Sequence, residues 1–181
     1  MFKNRPNKCY NTEDGELWLS RSVAVVGIIF VITDNYDLRV LTVKRSEAMI
    51  DKPNRWCLPC GYLDWDETLE QAIEREVHEE TGFSMRDHKK SLIRDIPYFH
   101  VNSNHETSNR QNISISFVKV YMRDNNPLPE LILNSEASDL SWSKCDEDSL
   151  AKLNLTFGHK DLIQAAYKEI LGKIPVFGVT K

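Results

Sequence analysis

Residues 61–83 read GYLDWDETLEQAIEREVHEETGF, and the fold turns on how this stretch is organised. Leu69, Ala72, Ile73 and Val77 recur at helical period. The spacing predicts a helix over about 68–81, with one apolar stripe suited to packing on a sheet. Gly82 supplies a stop, where a left-handed residue can end a helix. Glu76, Glu79 and Glu80 sit three and four residues apart, which gathers three carboxylates onto one patch beside the stripe. They also lie near the helix C-terminus, where negative charge opposes the macrodipole. Like charges this close weaken their own helix unless a cation joins them. Carboxylate oxygens suit a hard cation such as Mg²⁺ or Mn²⁺. Taken alone, EVHEE also fits an ordinary solvated helix face, and its flanks decide between the two readings. Upstream, Gly61 follows Pro59 and Cys60, which reads as a strand running into a tight turn.

The flanks fit a known pattern, the Nudix box. It runs Gly, five residues, Glu, seven residues, Arg-Glu, an apolar residue, any residue, Glu-Glu, any residue, Gly and an apolar residue. Gly61, Glu67, Arg75, Glu76, Val77, Glu79, Glu80, Gly82 and Phe83 fill all nine specified places without a gap. The chain therefore resembles a Nudix hydrolase. That resemblance implies an α/β architecture, the Nudix fold, in which a mixed β-sheet is sandwiched between helices and the loop-helix-loop box lies on one face. It implies Glu76, Glu79 and Glu80 as ligands of Mg²⁺ or Mn²⁺, with the backbone carbonyl around Cys60 and Gly61 as a further ligand. Arg75 is implied to pair with the box glutamates and hold them in place, a task for which a planar guanidinium suits better than an ammonium. Glu67 is implied as a supporting partner of Arg75. The general base is either a box glutamate such as Glu79 or Glu136, in the later loop NSEASD, and both stay open.

Members of this family cleave a nucleoside diphosphate linked to another group, so a small nucleotide is the implied substrate. Pro97, the run Phe157-Gly158-His159 and the stretch from Glu136 to Trp142 are similar to small bacterial ADP-ribose pyrophosphatases. Tyr98 stands almost where a tyrosine marks the diadenosine polyphosphate group. ADP-ribose or a related nucleotide sugar is the preferred reading. Diadenosine polyphosphates and nucleoside triphosphates remain alternatives. Arg110 and Gln111, at the base of a strand after the polar loop HVNSNHETSNR, are the preferred substrate contacts. Arg21, Lys44 and Arg45 flank two earlier strands as further candidates, and Trp56 or Phe99 could stack on a base or belong to the core. A non-catalytic nucleotide sensor is the alternative of another class. Sensors typically carry a degraded box, as does the isomerase branch, and the intact Glu76, Glu79 and Glu80 favour an enzyme.

The rest of the chain agrees with one domain spanning 1–181. Its 181 residues, 41% apolar and 28% charged, suffice for one real core. A net charge of −4 gives no reason to expect nucleic acid or an anionic membrane as partner. No apolar run reaches transmembrane length, and the N-terminus lacks the apolar segment of a signal peptide. Four cysteines, Cys9, Cys57, Cys60 and Cys145, include one CxxC, and no second pair follows at zinc spacing. Reduced thiols and a cytoplasmic location are expected. The resemblance leaves a homodimer open, since many relatives are dimers. Strands are expected over 22–32 and 39–44 as a hairpin, then over 56–59, 93–101, 111–123 and 140–142. A C-terminal amphipathic helix is expected over 161–171, with Leu162, Ile163, Ala166 and Ile170 inward.

Overall fold

The structure, a computed structural model, describes residues 8–19, 22–33, 37–104, 112–122 and 127–171. Its strands are β1 (Lys8–Thr12), β2 (Gly15–Leu19), β3 (Ser22–Ile32), β4 (Leu38–Arg45), β5 (Trp56–Cys57), β6 (Cys60–Tyr62), β7 (Leu92–Asn104), β8 (Asn112–Met122) and β9 (Ala137–Lys144). The helices are α1 (Leu69–Thr81), α2 (Glu147–Lys152) and α3 (His159–Leu171). Among the described residues β1 and β2 pair with each other, and the other seven strands form one sheet in the order β5-β4-β3-β8-β7, with β6 added to β3 and β9 to β4. The β3–β8 pair is parallel and the remaining pairs are antiparallel, so the sheet is mixed.

β3 sits at the centre because its apolar run can be buried on both faces. Successive side chains of a strand point to opposite faces. Val26, Ile28, Phe30 and Ile32 enter one core with Ile163, Ala166 and Ile170 of α3 and Leu150 of α2. Val25, Ile29 and Val31 enter the other with Ala72, Ile73 and Val77 of α1. The sheet is thus sandwiched between helices, as the sequence led us to expect. Gly27 lets α1 come close: a Cβ there would stand 3.0 Å from Val77 Cγ2 and 3.1 Å from Ile73 Cδ1.

The 22–32/39–44 hairpin is present as β3 paired with β4, and the long strands and α3 lie where expected. Three features differ. The β1–β2 hairpin and the short helix α2 were not anticipated. The expected strand over 56–59 is shorter, Trp56–Cys57 on β4, and a separate strand, β6, follows on β3. Gly61 is therefore a strand residue, opposite Val25, and does not sit in a tight turn. Its lack of a side chain has another cause, found at the site.

Candidate active site

α1 is fixed at both ends. Thr68 caps its start: the hydroxyl accepts from the Gln71 N–H at 3.2 Å, and Gln71 Oε1 accepts from the Thr68 N–H at 2.8 Å. This reciprocal pair satisfies two otherwise orphaned donors. Gly82 ends the helix with φ 71°, and its N–H donates to the His78 carbonyl at 2.8 Å. The segment before β9 then clamps this end. The Ile132 N–H donates to the Thr81 carbonyl, and Asn134 Nδ2 donates to the Glu79 carbonyl, both at 2.8 Å. Asn134 Oδ1 accepts from the Glu136 and Ala137 N–H groups at 2.9 and 3.0 Å. One asparagine thus ties the box helix to the loop that carries Glu136.

Arg75 is the centre of the acidic edge. Nε and Nη2 grip Glu67 at 3.0 and 2.7 Å, and Nη1 donates to Glu76 at 2.8 Å and Glu79 at 3.0 Å. Nη2 also donates to the Tyr62 carbonyl at 3.0 Å. Those bonds match the five donors of a guanidinium fork. Glu67 is the partner of Arg75 that the sequence suggested. The Arg75 hydrogen bonds hold its carboxyl below the usual range. Conversely, Glu67 foremost among its acceptors pushes the guanidinium further toward its charged form. Glu76 feels the opposite balance: burial raises its carboxyl despite the Arg75 contact. Here the role of Gly61 becomes clear. A Cβ on it would lie 2.1 Å from the Glu76 carboxylate.

Glu80 faces inward and is buried, with Oε2 accepting from the Cys60 N–H at 3.0 Å. Burial pushes its carboxyl well up, with Cys60, Glu76 and Glu136 adding to the rise. Glu79, by contrast, is exposed. Glu76, Glu79, Glu80, Cys60 and Gly61 line one cleft of about 540 Å³, together with Tyr62, Asp64, Arg45, Met49, Asn134 and Glu136. The structure thus brings Gly61, Glu76, Glu79 and Glu80 of the box together with Cys60, Glu136 and Arg45, while Arg75 and Glu67 stand behind them. Arg21, Arg110 and Gln111 lie outside the described residues. Phe99 packs against the α3-side core rather than the cleft. Pro97 and Tyr98 fall in β7, where the Tyr98 hydroxyl donates to Glu70 Oε1 at 2.5 Å. The four cysteines are free thiols. Asn134, Met49, Tyr62 and Asp64 were not singled out from the sequence. Of these, only Asn134 had a local signal, an Asn-Ser pair suited to an Asx turn.

Among the described residues no three acidic, histidine or cysteine side chains already surround one point. Glu76 and Glu79 turn onto Arg75, and Glu80 onto the Cys60 N–H. The residues nevertheless fit a hard divalent cation. The box side chains in the cleft offer oxygen donors of the type Mg²⁺ prefers. Gly61 keeps free the space that the Glu76 carboxylate occupies. Glu76 and Glu80 are desolvated carboxyls with raised affinity for a proton, and a nearby cation is what favours their charged forms.

Residues 21–166 match the NUDIX domain, and the chain belongs to that family. A curated relative described as an ADP-ribose pyrophosphatase, from Methanocaldococcus jannaschii, is 40% identical over 84 residues, covering 45% of this chain and 41% of the relative. The match therefore spans less than half of that relative's length. Among solved structures, the NUDIX domain of Shewanella oneidensis NrtR complexed with ADP ribose superposes with TM-score 0.66 at 20% identity, covering 84% of this chain and 90% of that one. A bifunctional NMN adenylyltransferase/ADP ribose pyrophosphatase from Francisella tularensis, complexed with AMP and Mn ion, gives TM-score 0.64 at 26% identity, over 83% of this chain and 42% of that one. The mixed sheet between helices is the Nudix fold. No helix among the described residues is long and apolar enough to cross a membrane.

Proposed function

We propose that the chain is a Mg²⁺- or Mn²⁺-dependent hydrolase of the phosphoric anhydride in a nucleoside diphosphate linked to another group, with ADP-ribose or a related nucleotide sugar as substrate. The observation that carries this reading is the convergence of Glu76, Glu79 and Glu80 on one cleft, two of them held by Arg75. The substrate class is supported by the names of the Methanocaldococcus jannaschii relative and of the Francisella tularensis protein with its bound AMP and Mn ion. A cytoplasmic location belongs to the same reading.

In this reading Glu76, Glu79 and Glu80, with the backbone carbonyl around Cys60 and Gly61, would hold the cation. When bound, it neutralises phosphate oxygens and lowers the pKa of a water. The residues of the chain do the rest. Arg75 keeps Glu76 and Glu79 in register, and Glu67 keeps Arg75 in place. The Cys60 N–H orients Glu80. Two carboxylates can take the proton of an attacking water, Glu79 from the helix and Glu136 from the loop that Asn134 pins. Separate Glu79→Gln and Glu136→Gln variants distinguish them by which one flattens the acid limb of the pH–rate profile.

The test is hydrolysis with Mg²⁺ or Mn²⁺ over ADP-ribose, NADH, diadenosine polyphosphates, nucleotide sugars and nucleoside triphosphates, with products identified. AMP plus ribose 5-phosphate from ADP-ribose as best substrate supports the reading. Silence across the panel, with nucleotides bound tightly, replaces it with a sensor.

A further inference from the structure

The cleft is acidic on most sides. Asp64, Glu76, Glu79, Glu80 and Glu136 line it, and Arg45 is the cation among its described lining residues. Several features converge on that one guanidinium. The register of β4 against β9 shifts between Lys44 and Arg45, an irregularity of the kind that re-aims a side chain. Arg45 Nε donates to the Asp51 carbonyl at 2.8 Å. Its guanidinium carbon lies over the Phe157 ring, 5.5 Å from the centroid.

Phe157 is itself unusual. It holds φ 60°, followed by Gly158 at φ 71°, yet remains 41% exposed. A bulky residue rarely adopts the left-handed region, and an exposed one gains little packing there. The turn is secured from both sides: the Thr156 N–H donates to the Trp56 carbonyl at 2.9 Å, and the His159 N–H to the Thr156 carbonyl at 3.1 Å. His159 Nδ1 in turn accepts from the Leu58 N–H at 2.9 Å, tying the turn to the link between β5 and β6 that leads into the cleft. Stacking engages the face of a guanidinium and leaves its in-plane donors for hydrogen bonds. With the face on Phe157 and Nε on Asp51, the Nη end is held as a fork.

We propose that Phe157 is a positioning residue that orients Arg45 to grip the diphosphate of a nucleoside diphosphate in the cleft. This rests on the hydrolase reading only in sharing its substrate class. The fork supplies a fixed positive charge beside the carboxylates, on a protein side chain, for an anion that the acidic lining would otherwise repel.

Equilibrium binding of ADP in Mg²⁺ buffer tests it without turnover, by titration calorimetry on wild type, Phe157→Leu, Phe157→Tyr, Arg45→Met and the double variant Phe157→Leu/Arg45→Met. Loss of a charge-assisted phosphate contact in Arg45→Met should weaken ADP by roughly 10–100-fold. Phe157→Leu should weaken it by about two- to fivefold, as loss of a cation–π contact predicts. Phe157→Tyr keeps the ring and should restore affinity. The double variant should bind no more weakly than Arg45→Met alone, because Phe157 acts through Arg45. Wild-type affinity in Phe157→Leu, additive losses in the double variant, or no ADP binding by wild type at millimolar concentration overturns the inference. A lower melting temperature in Phe157→Leu with ADP affinity intact also overturns it. ADP affinity that depends on Phe157, in a protein that cleaves no anhydride, removes the hydrolase reading and leaves this one in place. Turnover of ADP-ribose by Phe157→Leu at wild-type KM does the reverse.

Discussion

α1 and α3 are each 13 residues long and cover opposite faces of the same sheet. Each buries one stripe: Ala72, Ile73 and Val77 on α1, and Ile163, Ala166 and Ile170 on α3. Their polar sides differ. α3 sets Lys160 beside Asp161 in its first turn and Lys168 beside Glu169 in its last, so neither end carries a net charge against the helix dipole. α1 has Glu70 in its first turn but brings Glu79 and Glu80 to its last, against the dipole. Its acidic edge is gathered by its own Arg75, which Glu67 and the Tyr62 carbonyl anchor from outside the helix, and its end is fixed by the Gly82 cap and the Asn134 clamp. A helix that only packs is balanced by its own sequence. One that carries a site keeps net negative charge in its last turn, and that imbalance is a mark of function.

The comparison breaks most visibly if the two helices are damaged in turn. Glu79→Gln or Glu80→Gln should lower kcat by on the order of 10²–10⁴-fold while circular dichroism and melting stay close to wild type. Ile163→Ala on α3 should do the converse, costing roughly 2–5 kcal/mol of stability by cavity formation while the folded fraction keeps its KM. Denaturant titration beside steady-state kinetics separates the two. Equal effects of both kinds from both helices would erase the distinction.

The α3 side also carries a pH-sensitive support. Burial, with Arg45 nearby adding to it, lowers His159 from 6.5 to about 4. Between those values the unfolded chain takes up a proton that the folded one refuses. Stability is therefore full above about pH 6.5 and falls as the pH drops toward 4, by up to about 3 kcal/mol from this group. His159→Gln should flatten that slope in melts taken across the range, and an unchanged slope would refute the assignment.

Arg75→Lys sharpens the account of α1. An ammonium cannot replace the fork shared by Glu67, Glu76, Glu79 and Tyr62, so activity should fall by roughly 10–100-fold, as supporting partners of a metal site typically do. Asn134→Ala should have the smallest effect, about 1 kcal/mol on stability from the lost clamp, with a modest fall in kcat. If Asn134→Ala is as damaging as Glu80→Gln, the asparagine does more than hold the loop.

The sequence made α1 legible because period, stop signal and motif coincide in one stretch. β3, β8 and α3 were legible for a similar reason, since long apolar or alternating runs leave little choice of structure. The β1–β2 hairpin was not, because Lys8–Thr12 is exposed throughout and so carries no buried face. Its Asp14-Gly15 pair was the available signal, with Gly15 at φ 121°. α2 is a six-residue helix with Leu150 as its buried residue, too short for a period to register. At the site, spacing placed three glutamates on one edge but could not tell that Glu80 is buried and Glu79 exposed. That depends on how the helix rolls against β6. Gly61 was misread as a turn because glycine after proline is a turn signal, whereas the Glu76 carboxylate requires it. Asn134, 55 residues from Glu79, acts through a contact that no local pattern announces.

The central claim is that the acidic edge of α1 works with a divalent cation to cleave a phosphoric anhydride. Its most direct test is ADP-ribose turnover followed by phosphorus NMR, in wild type and in Glu79→Gln and Glu80→Gln, with Mg²⁺ and then with excess chelator. The account predicts AMP and ribose 5-phosphate from the wild type, abolished by chelator and sharply reduced in both variants with their folds intact. Undiminished, chelator-resistant turnover in both variants would contradict it.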